Sequence, residues 1–264
     1  MPRFKDQAIC IRDLDWSESS QVVVLLTQTR GKVRGIAKGS RRMSPSGIAR
    51  FSGGIDLLTA GEVVATTRPS SELAAITEWD LQANFFQLRR DLRGQRVGMY
   101  AADLCNALLA DEDPHPVVFG WLRGLLESLC ASPGGDVRGS MRAEARTPGI
   151  EAALLRFQWG VLEDLGYKPE LEQDVRRGGE LGRVKTYTFD PKAGGLTSEM
   201  GIVSGGDWRV RGETVAALRA VAGNQDLGAV EVQTLERANR LLCVYVRTIL
   251  DKELPTMSVV LGKG

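Results

Sequence analysis

The stretch Gln21–Arg42, "QVVVLLTQTRGKVRGIAKGSRR", carries the reading of the fold. Its first part, Val22 to Leu26, is a β-branched, apolar run that suits a buried strand better than a helix. "TRGK" supplies a glycine-containing reverse turn, and "KVRGIAK" alternates polar and apolar positions. A strand residue and its second neighbour share a face, so Lys32, Arg34, Ile36 and Lys38 point one way. Val33, Gly35 and Ala37 point the other way and form a small, core-compatible set. The second strand then runs directly into the basic loop "GSRR".

Working outward, "QAICI" is a short apolar strand, separated from Gln21 by the polar turn "DWSES". Downstream, "GIDLLTA" and "EVVATTR" flank a turn at Ala60–Gly61, and Pro69 with two serines punctuates the end. That is about five short strands in about 70 residues, a size and count suited to a small barrel. The period then changes from two to that of a helix. "FFQLRRDLRGQRVGMYAADLCNALLA", "VVFGWLRGLLESLC" and "IEAALLRFQWGVLEDLG" carry apolar residues at helical spacing. "ASPGGDVRGSMRAEARTPG" reads as a polar loop, and Gly166 as a C-cap. Residues 168–207 lose the helical period, with a strand in "RVKTYTFD" and a turn in "KAGG"; "GETVAALRAVA" and "VEVQTLERANRLLCVYVRTILDKEL" then close the chain as helices. The expected organisation is α+β: a barrel over residues 1–80, then a mainly helical domain over 81–264 with an irregular, partly β insertion at 168–207.

The chain of 264 residues carries a net charge of only +1, which argues against a protein that coats polyanions over its whole surface. Yet Arg30 to Phe51 holds Arg30, Lys32, Arg34, Lys38, Arg41, Arg42 and Arg50, with no acid between Glu18 and Asp56. A cationic strand continued by a flexible cationic loop is what a groove tracking a sugar-phosphate backbone needs. Each neutralised phosphate releases condensed counterion, so a few contacts give salt-sensitive affinity. Small barrels of the OB type use a strand face and adjoining loops in this way. The competing reading is a solvated strand edge whose charges prevent edge-to-edge pairing. Stacking partners for bases are few in this third of the chain: Phe4, Trp16 and Phe51. On the first long helix Arg89, Arg93 and Arg96 share a face, which extends the basic path or is simply solvated. Arg176 and Arg177 are weaker candidates.

Other chemistry is thinly represented. "GIAKGSRR" has its lysine before the glycine, the wrong order for a nucleotide-phosphate loop. His115 is the single histidine and sits in "DPHP", a helix-start context. The acids at 111–113 read as a helix end and the next cap, with Asp113 ahead of Pro114 at the first helical position. The four cysteines form no CxxC pair and read as reduced core residues of a cytoplasmic protein. The N-terminus lacks an apolar leader, and no stretch is long enough for a membrane span, so no membrane is expected.

Taken in order, Ala8–Ile11, Trp16–Ser20, Val24–Lys32, Gly35–Arg42 and the "LRFQWGVLEDLGYKPEL" segment at Leu155–Leu171 resemble the bacterial DNA repair protein RecO family. The resemblance covers most of the chain. It implies an N-terminal OB-fold, a helical domain and a small zinc-ribbon-like insertion. It further implies binding of single- and double-stranded DNA, strand annealing, partnership with RecR and single-strand-binding protein, and indirect service to RecA, in a cytoplasmic, nucleoid-associated setting without covalent catalysis. A groove between the last helices would hold the tail of single-strand-binding protein. Many members carry two CxxC pairs after the "GYxPxL" segment, and four thiolates so arranged hold Zn²⁺. Here those positions fall near Asp174, Arg177, Ser198 and Gly201, so the ribbon reads as degenerate, with neither metal nor cofactor expected. The resulting expectation is a non-enzymatic DNA-binding and annealing protein, with Lys32, Arg34, Lys38, Arg41 and Arg42 as main phosphate contacts and Arg50, Arg89, Arg93 and Arg96 as further ones. An RNA-binding barrel and a protein adaptor without nucleic-acid affinity are the alternatives.

Overall fold

Five strands close into a barrel in the order β1-β2-β3-β5-β4. They are β1 (Arg3–Ser17), β2 (Ser20–Thr27), β3 (Gly31–Ala37), β4 (Ala60–Arg68) and β5 (Ser71–Ala83), with a short helix α1 (Pro45–Phe51) between β3 and β4. β3 and β5 run parallel and the other neighbours antiparallel. This computed structural model describes residues 3–42, 44–68, 71–131, 148–198 and 207–262. The inward residues Val23, Leu25, Val33 and Ala37 join Trp79 and Phe51 in the barrel core, as alternation in the hairpin requires.

Two strands differ from expectation. Residues 54–59 of "GIDLLTA" form no strand: Leu58 takes φ +60 and Thr59 turns back to the Asp56 carbonyl. Buried Ile55 and Leu58 give that loop its strand-like apolar signature. The fifth strand is β5. Its pairing with β4 jumps from Val64↔Glu78 to Ala65↔Ile76, leaving Thr77 as an extra residue. A bulge of this kind shifts the phase of alternation. Ala74 and Ile76 therefore face inward on one side of it, Trp79 and Leu81 on the other, and a strict two-residue period fails.

After the barrel, a 3₁₀ turn at Phe86–Arg90 precedes α2 (Leu92–Leu108) and α3 (Pro116–Ala131). Asp91 caps α2 by accepting from the Arg93 N–H at 3.0 Å. α3 begins at Pro116 rather than at Pro114. These helices pack with the barrel strands in one compact unit, Met1–Ser140, and the change of period near residue 80 falls at the end of the barrel.

The second unit, Met141–Gly264, holds α4 (Pro148–Asp164), β6 (Thr186–Asp190), β7 (Gly195–Thr197), β8 (Trp208–Arg211), α5 (Gly212–Ala222), α6 (Val232–Leu250) and α7 (Ser258–Leu261). α4 and α6 pack through a buried polar chain: Gln158 donates to Asn239 Oδ1 at 2.9 Å, and Asn239 donates to Glu151 Oε2 at 3.0 Å. Satisfied networks of this kind fix helix register, because a slip strands polar groups in the core. The insertion is a sheet of order β7-β6-β8, and Phe189 on β6 meets Tyr245 on α6 edge to face at 5.4 Å. The polar loop expected at 131–149 lies mostly outside the described residues.

Candidate nucleic-acid interface

The basic loop at 38–42 is anchored rather than loose. Gly39 adopts φ +74, a left-handed conformation that glycine accepts without strain, and the Arg42 side chain lies over it. The Gly39 N–H donates to Ser20 Oγ at 3.3 Å, and the Arg41 N–H to the Ser19 carbonyl at 3.2 Å. Below the loop, buried Gln21 works as a hub. Its Oε1 accepts from Ser40 Oγ at 2.9 Å and from the Ile55 N–H at 3.1 Å. Its Nε2 donates to the Ile55 carbonyl and to Asp13 Oδ1, both at 2.9 Å. The flexible cationic loop expected from the glycines is thus a fixed corner, held by side-chain bonds that glycine content does not reveal.

The expected phosphate contacts divide sharply. Lys38 and Arg42 are exposed, and among the described residues no carboxylate pairs with either. Arg41 pairs with Asp13 at 3.1 Å. Arg50, in the last turn of α1, is exposed and lies over the Phe51 ring at 5.5 Å. Arg34 pairs with Asp111 at 2.9 Å yet stays half exposed.

Lys32 is a correction. It is only 4% exposed, and its Nζ donates to the Asn106 carbonyl at 2.8 Å and meets Asp111 Oδ1 at 3.1 Å. The register explains this. The outer-face row Ile9–Leu26–Lys32 lies where α2 packs on β1, so Lys32 points outward as alternation demands but into a helix end. There it satisfies a carbonyl in the last turn of α2, where a cation is favoured. The neighbouring Gly31 approaches Asp113 so closely that a Cβ would collide with its carbonyl. Asp111 therefore serves two of the barrel's own cations, Lys32 and Arg34, and the cap expected of Asp113 ahead of Pro114 is not formed there, since α3 starts at Pro116.

The arginine face on the first helix is a second correction. Arg89 lies in the 3₁₀ turn and pairs with Asp56 at 3.1 Å, because Asp91 starts a new helix after it. Arg93 is 2% exposed. Arg96 alone of the three is exposed on α2. In the second unit Arg176 is also committed, to Asp190 at 2.6 Å and Asp207 at 2.8 Å.

The degenerate ribbon positions carry a different chemistry. Asp174 Oδ2 accepts from Ser198 Oγ at 2.6 Å and from the Ser198 N–H at 2.8 Å. Its Oδ1 accepts from the N–H groups of Arg176 and Arg177 at 3.0 and 3.1 Å. Burial pushes this carboxyl up, but the Ser198 and backbone bonds outweigh burial and hold it well below the usual carboxylate range. One fully engaged carboxylate, a hydroxyl and an arginine do not fit a tetrahedral zinc site; Gly201 lies outside the described residues. The two loops are joined by hydrogen bonds close to the positions where the resemblance implies zinc-binding cysteines. The cysteines present are no substitute. Cys10, Cys105 and Cys243 are buried and unbridged, and burial raises the Cys105 thiol to about 12.

A closed five-strand barrel followed by helices defines a protein built on an OB-fold and a helical domain. The family described as Recombination protein O N terminal matches residues 1–85, and Recombination protein O C terminal matches residues 89–258. The chain is 31% identical over 194 residues to a DNA repair protein RecO of Anaeromyxobacter sp. (strain Fw109-5), covering 74% of this chain and 68% of that one. A DNA repair protein RecO of Rhodopirellula baltica is 28% identical over 193 residues, 73% and 64% of the two chains. One of Halorhodospira halophila is 29% identical over 233 residues, 87% and 84%. The chain belongs to the RecO family of DNA repair and recombination proteins.

Proposed function

We propose that this chain binds single- and double-stranded DNA through the Lys38–Arg42 corner of its barrel and anneals complementary strands. In this reading it acts with RecR to help RecA replace single-strand-binding protein. The observation that carries the proposal is that Lys38 and Arg42 are exposed, with no carboxylate partner among the described residues, on a loop that Gln21 and Ser40 hold in place. A preorganised cation meets a phosphate without first losing loop entropy. Arg41, Arg34 and Arg50 flank the corner, their charges partly offset by Asp13 and Asp111 in the first two cases. Lys32 and Arg93 drop out of the contact set, and Arg89 and Arg96 are subsidiary.

Annealing needs no reactive group. Bringing two polyanions together while neutralising part of their repulsion speeds their encounter, and base pairing then drives the product. The test follows pairing of complementary labelled strands by fluorescence, with and without a cognate single-strand-binding protein coating them. Accelerated pairing on coated strands is expected. No acceleration on naked or coated strands would refute annealing, and preferential binding of RNA over DNA of equal length would turn the barrel's role to RNA.

A further inference from the structure

The outer face of β1, β2 and β3 changes character along its length. At the α2 end the row Ile9–Leu26–Lys32 is buried. The next row, Arg12–Val24–Arg34, exposes a cation on each side of a buried valine. The row after that, Leu14–Val22–Ile36, is apolar and uncovered: Val22 and Ile36 are half-buried and Leu14 is 45% exposed. Beyond it stands Trp16, 65% exposed, the most exposed of the large apolar side chains among the described residues.

Trp16 reaches this position through a bulge. The β1–β2 pairing goes from Asp15↔Gln21 to Ser17↔Ser20, so Trp16 has no partner in the ladder. Bulges re-aim side chains, and Trp16 with the Leu14–Val22–Ile36 row makes an exposed apolar stretch of the kind that marks an interaction site. The hairpin that carries it is hydrogen-bonded through Ser19 and Ser20 to the cationic loop. Phe4 and Phe51, the other aromatic candidates, are buried in the barrel.

We infer that Trp16 is a stacking platform for an unpaired base, and that the Leu14–Val22–Ile36 row continues the base-facing track beside it. The row spans about 10 Å across three strands, enough for the flat face of a base. Phosphates run along the Lys38–Arg42 side, and Glu18 at the hairpin turn repels them from the tip. The occupant is single-stranded nucleic acid, because an apolar track edged by cations complements bases edged by phosphates. A duplex keeps its base faces stacked inside and has nothing to lay on an indole. The proposal rests on the nucleic-acid reading of the corner and adds a selectivity for single strands that the cations alone cannot give.

The test titrates the full chain against a labelled oligo-dT and a duplex of equal length at several salt concentrations, comparing wild type, Trp16→Ala and Trp16→Phe. Base–aromatic stacking predicts about a tenfold or greater loss of oligo-dT affinity for Trp16→Ala. The salt slope and the duplex affinity should stay unchanged, and Trp16→Phe should recover most of the loss. Unchanged oligo-dT affinity, or equal loss on both ligands, would overturn the inference. Unchanged oligo-dT affinity with lost binding of single-strand-binding protein would assign the patch to a protein partner instead. Failure of the wild type to bind either nucleic acid would refute the underlying DNA reading, a result distinct from a silent Trp16.

Discussion

Lys32, on β3, and Lys38, in the loop just past its end, have opposite fates. Lys32 points into a helix end and satisfies the Asn106 carbonyl, whereas Lys38 is exposed. Lys32→Met should therefore lower stability by about 1–3 kcal/mol, the cost of an unsatisfied buried carbonyl, read by chemical denaturation. Asp111 is partly exposed and can rehydrate, which keeps the loss below that of a fully buried pair. The same variant should leave the salt dependence of DNA binding unchanged. Gln21→Leu should cost about 2–3 kcal/mol, since it orphans the Ile55 amide and the Ser40 hydroxyl. It should also weaken DNA binding by loosening the loop, a change detectable as faster amide exchange at residues 39–41. Alternation made the outward direction of both lysines legible in the sequence. What covers each was not, because Asn106 and Asp111 are more than 70 positions away along the chain, and one sequence carries no sign of that pairing.

At the scale of elements, the three-stranded insertion is held by a carboxylate, Asp174, close to where the resemblance implies a metal-binding cysteine. Asp174 and Asp190 are both held below the usual carboxylate range: burial opposes this, and hydrogen bonds from Ser198 and the backbone for the first, and from Ala193 N–H and Arg176 for the second, prevail. A carboxyl whose folded pKa lies below its unfolded value contributes stability above the unfolded pKa of about 4 and loses it as pH falls through the folded one. Asp174→Asn should thus be less stable than wild type at pH 7, by about 1–3 kcal/mol, and the gap should close as pH falls below 4. Strong chelators should leave the melting temperature of the wild type unchanged. A gap that does not narrow between pH 5 and pH 2, or a chelator-sensitive transition, would contradict this description. Strands with an unbroken pattern, β2 and β3, were legible in the sequence. β5 was not, because the bulge at Thr77 breaks its alternation, and α1 was hidden because a two-turn helix is too short to show a period. The helices α5 and α6 were plain from their spacing, whereas the first expected helix splits at Asp91, whose capping side chain outweighs the continuing apolar pattern.

At the scale of the whole molecule, a nearly neutral chain leaves Lys38 and Arg42 exposed at one barrel corner and engages other cations, Lys32 and Arg176 among them, in ion pairs. Electrostatic attraction to a polyanion is then local, and it should be carried by a countable number of contacts. The order of motifs made the family legible across both units, but the site was legible only as a basic stretch; which of its cations face solvent depended on the closure of the barrel and the docking of α2. The most direct measurement is the slope of log affinity against log salt for wild type and for a Lys38→Ala, Arg42→Ala double variant. Two lost phosphate contacts predict a slope shallower by about 1.4 on a single strand and about 1.8 on a duplex, with the melting temperature unchanged. An unchanged slope would place the DNA elsewhere on the molecule and contradict the central claim.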